Sequence, residues 1–337
     1  MEKVTGIKSV DFKVKALGHG VVNWNGQVDV NALIDGNVKR LKNHSIPKLR
    51  GYSNKRFKDD GSYSLKFADE IDFTKNPLYI SQNCIRHHLF RDQAFDLQVL
   101  EKKENLNEEM HKLLCSVLGL VRGYVIPKTE YKRTSPLLIT DFEEQLHLGN
   151  YEQMGRSGSK EKQKTKSGDE KSTSMFSKTT FGQTEYVAHG SISIEQLQFI
   201  SLDDRFSRQA MRADENEGKQ LATEITDFLK SITNNEADKD KIEAAYHPNY
   251  VRVGAIYDLG EAGILLNDEA TDVLVKETLN LIENLSIRQA KGYMYVDEIL
   301  VDYNNSALAK DMMRITRDES LAESTKKDRY AVYFKGV

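Results

Sequence analysis

Residues 9–16 alternate with a period of two: Val10, Phe12, Val14 and Ala16 fall on one side, Ser9, Asp11, Lys13 and Lys15 on the other. Successive side chains of a strand point to opposite faces, so this segment is a strand with one wholly apolar face. Such a face must be covered by another layer, and the chain therefore requires a sheet backed by helices or by a second sheet. Gly18-His19-Gly20 reads as the end of the strand, and a polar insertion follows to about Asn76.

Helical periodicity begins at 81–98, where Ser81 is a suitable N-cap and Cys84, Ile85, His88 and Leu89 form the inward stripe. A second helix is expected over 107–118, with Met110, Leu113, Leu114, Val117 and Leu118 inward and Gly119 in the C′ position. Strands over 121–126 and 136–140 flank a basic turn at 128–135. Strand pattern returns at 186–202 with a phase change between Ile192/Ile194 and Leu197/Phe199, which predicts a β-bulge. A strand over 251–257, a capped amphipathic helix over 267–283 and a closing strand over 292–303 complete the pattern. The order strand, helix, helix, strand, strand, long strand, strand, helix, strand predicts an α+β fold with an RRM-like (ferredoxin-like) core. We expect one domain over 1–337, with large insertions at about 25–75, 143–185 and 203–250. Within these, 149–178 is a Gly/Ser/Lys/Gln stretch expected to be flexible, and 214–243 sets nine acids against four bases in a mostly helical pattern.

A net charge of −3 and a pI near 6.3 argue against a chain that coats nucleic acid indiscriminately, so any such contact must come from local patches. Two cysteines, Cys84 and Cys115, are too few for a disulfide framework and fit a reducing compartment; a cytoplasmic location follows. The longest apolar run, 113–121, is far short of a membrane span. Cys84, His87 and His88 have no second ligand pair at a usable interval, and no metal or cofactor is expected. No nucleophile elbow, phosphate-binding loop or zinc-protease helix appears, and a non-enzymatic role is expected. Asp29 and Asp35 are the acids to weigh for phosphodiester cleavage, the alternative being a metal-dependent ribonuclease. A protein-only interaction module is the third reading.

Cations cluster in four places. The run 39–58 carries eight Lys/Arg, among them Lys48 and Arg50, with no acid; Tyr52 and Phe57 interleave, as on a single-stranded nucleic-acid surface. The helix opening at Ser81 offers backbone N–H groups at Gln82 and Asn83 to a phosphate, with Arg86 one turn on and His87, His88 and Arg91 beside it. Arg122, Lys132 and Arg133 stand at the ends of two strands. Finally, Lys291-Gly292-Tyr293-Met294-Tyr295-Val296 resembles the basic-Gly-aromatic-small-aromatic-Val strand of RRM domains, preceded by Arg288 and Gln289. The bland alternative is that Tyr293 and Tyr295 simply pack on one side of a strand.

Taken together, Ile80-Ser81-Gln82-Asn83-Cys84-Ile85-Arg86, the strand region 187–199, and the loop and strand 288–296 resemble the Cas-seven family of RAMP proteins, the backbone subunit of class 1 CRISPR interference complexes. The wider wording, including Arg133-Thr134-Ser135-Pro136-Leu137-Leu138 and 285–297, is similar to the minimal type I-F variant. The resemblance implies an RRM-like palm with a projecting thumb, placed in 143–185 or 203–250. It implies several copies along one CRISPR guide RNA, other subunits of the complex as partners, and target DNA reached through guide pairing. Ser81, Gln82 and Arg86 match the family's guide-binding positions; Ile85 stands where the family often has lysine, which shifts the phosphate grip toward His87, His88 or Arg91. Type III relatives cut RNA with a loop aspartate, and the type I resemblance implies no cleavage here.

Overall fold

The computed structural model describes residues 4–34, 36–67, 70–91, 106–157, 174–256 and 259–337. The alternating segment is strand β1 (Ser9–Gly20), longer than expected: it runs through Gly18-His19-Gly20, and Gly20 reaches the left-handed φ of +76° that ends it. The insertion after it is not a plain polar loop. It folds as two hairpins, β2 (Trp24–Ile34) with β3 (Asn37–Pro47) and β4 (Lys55–Phe57) with β5 (Tyr63–Leu65). Asp35 lies outside the described residues.

Strand β6 (Tyr79–Ile80) leads into α1 (Gln82–Leu89), capped by Ser81, whose Oγ accepts the Cys84 N–H at 3.4 Å. The expected extension of α1 falls largely on residues outside the description. Helix α2 (Leu106–Leu114) ends earlier than periodicity predicts, and Leu118–Arg122 winds as a π-helical turn. Gly119 is therefore inside a turn, and the terminating glycine is Gly123, at φ +73°. The π turn also shortens the next strand to β7 (Tyr124–Ile126), which pairs with β8 (Tyr131–Arg133). Strands β9 (Leu137–Ile139) and β10 (Phe142–Glu144) follow. The backbone of the expected flexible stretch pairs as a ribbon, β11 (Gly149–Ser157) with β12 (Ser174–Phe181).

After β13 (Gln183–Ser193) the predicted bulge is instead a helical turn, α3 (Ile194–Gln198), followed by β14 (Phe199–Ser201). Five residues of helix rotate the chain out of strand phase, which accounts for the change in apolar parity. The acidic stretch forms α4 (Glu215–Ile232), which buries Leu221, Ala222, Ile225 and Leu229 in the main core, so this insertion is part of the body. Strand β15 (Ala244–Arg252) is earlier than the expected 251–257, of which Tyr257 is outside the description. Strand β16 (Glu261–Leu266), α5 (Asp268–Glu283), β17 (Ser286–Gln289), β18 (Gly292–Asn304) and β19 (Phe334–Gly336) complete the chain.

The result is a mixed α and β architecture. Among the described residues the main sheet is antiparallel in the order β17-β18-β1-β13-β10-β6, with β9 also on β13. The inner face of β1, Val10 to Ala16, is wholly buried in one cluster with Ile85 of α1, Leu114 of α2 and Leu274 and Ile282 of α5. A smaller sheet, β14-β16-β15-β19, carries the C-terminal strand.

The outer face of β1 is covered at one end. Asp11 is buried and accepts the Ser191 hydroxyl at 2.6 Å, the Asn304 amide at 2.9 Å and the Met313 N–H at 2.8 Å. Buried Asp302 on β18 takes both arms of Arg314, at 2.8 and 3.0 Å, and Lys13 pairs with Glu319 at 2.5 Å. Three donors on one buried carboxylate and a forked guanidinium on another satisfy groups that would otherwise be costly to bury. They fasten the 306–322 segment over the Ser9 end of the sheet. No helix among the described residues is long and apolar enough to cross a membrane.

Truncating Phe12, fully buried at the centre of β1, to Ala is expected to lower unfolding free energy by about 3–5 kcal/mol. Urea denaturation followed by circular dichroism measures it; a loss well under 1 kcal/mol would mean that the sheet face is not packed as described.

Candidate nucleic-acid interface

The open end of the outer face is set by one irregularity. Lys15 pairs with Glu298 but Ala16 with Val296, so Asp297 is an extra residue in β18. Beyond it Ile299, Val301 and Tyr303 face the core; before it the parity reverses, Met294 is buried, and Tyr293 and Tyr295 turn outward with 51% and 44% exposure. Directly opposed residues share a face, and register then builds two outward rows. Arg288, Tyr293, His19 and Gln183 form one; Ser286, Tyr295, Leu17 and Glu185 form the next. The rows are spaced by about 6.6–6.8 Å along the strand.

The His19 and Tyr293 rings lie near-parallel, 24° apart with centroids at 6.5 Å, giving an aromatic platform across two strands. Arg288, Gln289 and Lys291 are exposed on the β17–β18 hairpin beside it, and the Lys291 ammonium sits 4.6 Å from the centre of the Trp24 ring. The neighbouring β2–β3 hairpin carries exposed Lys39, Arg40 and Lys42. An exposed ring pair bordered by cations can stack bases while the cations take phosphates. Sequence reasoning missed His19, Leu17 and Gln183. The local signal is the Gly-His-Gly triplet, which continues β1 to an exposed tip at His19 instead of breaking the strand.

The expected phosphate seat at α1 is already filled. The Gln82 N–H donates to Asp141 Oδ1 at 2.8 Å, and the Ser81 hydroxyl also accepts the Asn23 amide at 3.2 Å. Asp141 in turn pairs with Arg50 at 3.0 Å, and Arg50 also binds Glu143 and stacks 5.0 Å over Tyr79. The hydrogen bond to Glu143 first of all, then the Coulombic pull of Glu143 and Asp141, raises the Arg50 pKa. An internal carboxylate thus occupies the helix end that was expected to receive RNA. Arg86 departs from expectation as well. Its two terminal nitrogens donate inward to Leu137 O at 2.8 Å and Arg122 O at 2.7 Å, and burial, then Arg122, lowers its pKa. It joins α1 to β9 and the π turn.

Arg133 is the clearest correction. The residue is 6% exposed, and its guanidinium donates to the carbonyls of Leu120, Phe199, Gln196 and Leu197 at 2.9–3.2 Å, so it cannot present itself to a strand of RNA. Its neighbours Arg122 and Lys132 are half-buried, as is Lys48, whose backbone N–H and C=O bond Asn23 and Tyr79. Asn83, His87 and Arg91 are exposed, and His88 meets His87 edge to face at 5.3 Å, with burial, His87 and Arg91 lowering its pKa. In the 39–58 run Tyr52 lies under Lys66, while Phe57 is exposed opposite Tyr63. Asp29 is held by Arg40, with Nε at 2.9 Å. Among the described residues no group of three or more His, Cys, Asp or Glu is arranged to hold a metal.

These contacts separate structural cations from surface ones. Arg86→Ala is expected to cost about 1–3 kcal/mol of stability because two carbonyls lose charged donors, whereas Arg288→Ala stays within about 0.5 kcal/mol of wild type. Urea unfolding of the two variants decides; equal losses would contradict the assignment.

A family model described as Type I-Fv CRISPR-associated protein Cas7fv-like matches residues 6–337. No curated protein matches the chain. The match spans the sheet, the four cation clusters and the C-terminal segment alike, and the chain belongs to the Cas7fv-like family of type I-Fv CRISPR-associated proteins.

Proposed function

We propose that the chain is a non-enzymatic backbone subunit that holds CRISPR guide RNA on the open end of the main sheet. The observation that carries this is the outward placement of Tyr293 and Tyr295, next to His19 and flanked by Arg288 and Lys291. Family membership supports the guide as the RNA concerned. The strand order β18-β1-β13 with β9 and β10 beyond, and with α1, α2 and α5 sharing the inner face, supports an RRM-like palm. Of the two thumb candidates we favour 143–185. Its β11–β12 ribbon pairs only with itself among the described residues, whereas α4 of the other candidate is buried in the body.

In this reading bases stacked on the platform are withheld from pairing, cations hold the backbone, and the remaining bases pair with target DNA. Further copies of the chain and other subunits of the complex would continue the assembly along the guide. Beyond Arg288, Gln289 and Lys291, the exposed members of the sequence-derived set are Arg50, Gln82, Asn83, His87 and Arg91, which would offer a second contact surface at α1; Ser81, Arg86 and Arg133 hold the fold from within.

Fluorescence anisotropy with a guide-length single-stranded RNA tests the proposal. Replacing both Tyr293 and Tyr295 by Ala is expected to weaken binding by about 1–3 kcal/mol per stacked base, and Arg288→Ala to reduce the salt slope by about one. Unchanged affinity and slope in folded variants would overturn the site. With magnesium present, the RNA should remain intact; cleavage would favour the ribonuclease alternative.

A further inference from the structure

A pocket of about 270 Å³ opens in the smaller sheet, lined by Arg133, Ser201, Arg208, Phe199 and Phe334 among others. It is separate from the tyrosine platform, and three features give it a chemistry. Arg133 directs four of its five N–H donors at carbonyl oxygens, which satisfy hydrogen bonding but bring no negative charge. Among the described residues no carboxylate pairs with it, and burial pushes its pKa down to about 10, as for a cation held without a counter-charge. The second feature is the Ser201 hydroxyl. Ser201 is 5% exposed and lines the pocket, and among the described residues its Oγ has no hydrogen-bond partner, an arrangement proteins rarely leave unfilled. Third, the Phe199 and Phe334 rings stack with centroids at 4.1 Å and supply an apolar wall.

Charge selects among anions. Arg133 and Arg208 are the cations of the lining and Glu195 its acid, which leaves one net positive charge; Glu195 is held by Arg252 at 2.6 Å and Arg208 is held by buried Glu261. A phosphate chain brings successive negative charges close to both carboxylates, whereas a lone carboxylate matches the single excess charge.

We infer that this pocket receives one carboxylate on a short aliphatic stem, of the glutamate side-chain kind, with the Ser201 hydroxyl donating to it and the phenylalanine rings against its methylenes.

Saturation-transfer NMR on the full chain, with N-acetyl-glutamate N-methylamide as probe, tests this against the glutamine analogue and inorganic phosphate. The glutamate probe is expected to saturate, with the glutamine analogue at least about tenfold weaker. Ser201→Ala should weaken the glutamate probe several-fold while leaving the thermal midpoint of the ligand-free protein equal or higher, because a buried unpartnered hydroxyl has been removed. Equal binding of the glutamine analogue, tighter binding of phosphate, an unaffected or thermally destabilised Ser201→Ala, or no saturable binding of the glutamate probe would each overturn the inference.

Discussion

Strand β1 is hydrogen-bonded along both edges, to β13 and to β18, and its inner face is sealed by α1, α2 and α5. Its position leaves the sheet only its outer face with which to meet solvent. That face is then divided. At the Ser9 end the buried carboxylates of Asp11 and Asp302 anchor the C-terminal segment; at the Gly20 end the sheet stays bare. The candidate RNA surface is what the segment does not cover. Removing one partner from either buried carboxylate would leave a charge in a low-dielectric setting, which is why the boundary between covered and open sheet is firmly set.

Asp297 decides what the bare end displays. A strand of period two carries its parity unchanged until an extra residue intervenes, and Ile299, Val301 and Tyr303 have the same odd parity as Tyr293 and Tyr295. Without the bulge the two tyrosines would turn inward and Met294 outward. A single residue thus exchanges a packing role for a recognition role.

Cation density proved a poor guide to exposure. Arg86 and Arg133 sit in two of the basic clusters, yet both point their guanidinium groups at backbone carbonyls of neighbouring segments. Arginine has five donors in a planar fork and can tie irregular backbone together where no ladder is available, as at the π turn and the α3–β14 junction. Asp141, remote in sequence from Gln82 and unremarkable in it, fills the helix end that the Ser81 motif leaves open. Those partners lie 13 to 66 residues away, mostly beyond what local pattern can register.

The amino-acid sequence by itself determined the features whose physics is local. These are the apolar face of β1, the Ser81 and Asn267 caps with Cys84 and Ala270 N–H donors, the apolar stripes of α1, α2 and α5, and the family wording. Caps and amphipathic faces follow from residues within one or two turns of each other, so they survive any tertiary context. Only the tertiary structure decided which cations reach solvent, where the bulge falls, that two hairpins form over 24–47 and 55–65, and that the C-terminal segment covers the Ser9 end of the outer face. The bulge depends on register between strands far apart in the chain, where a shift of one residue reverses every side chain, and the buried cations and the C-terminal cover depend on hydrogen-bond partners that local pattern does not contain.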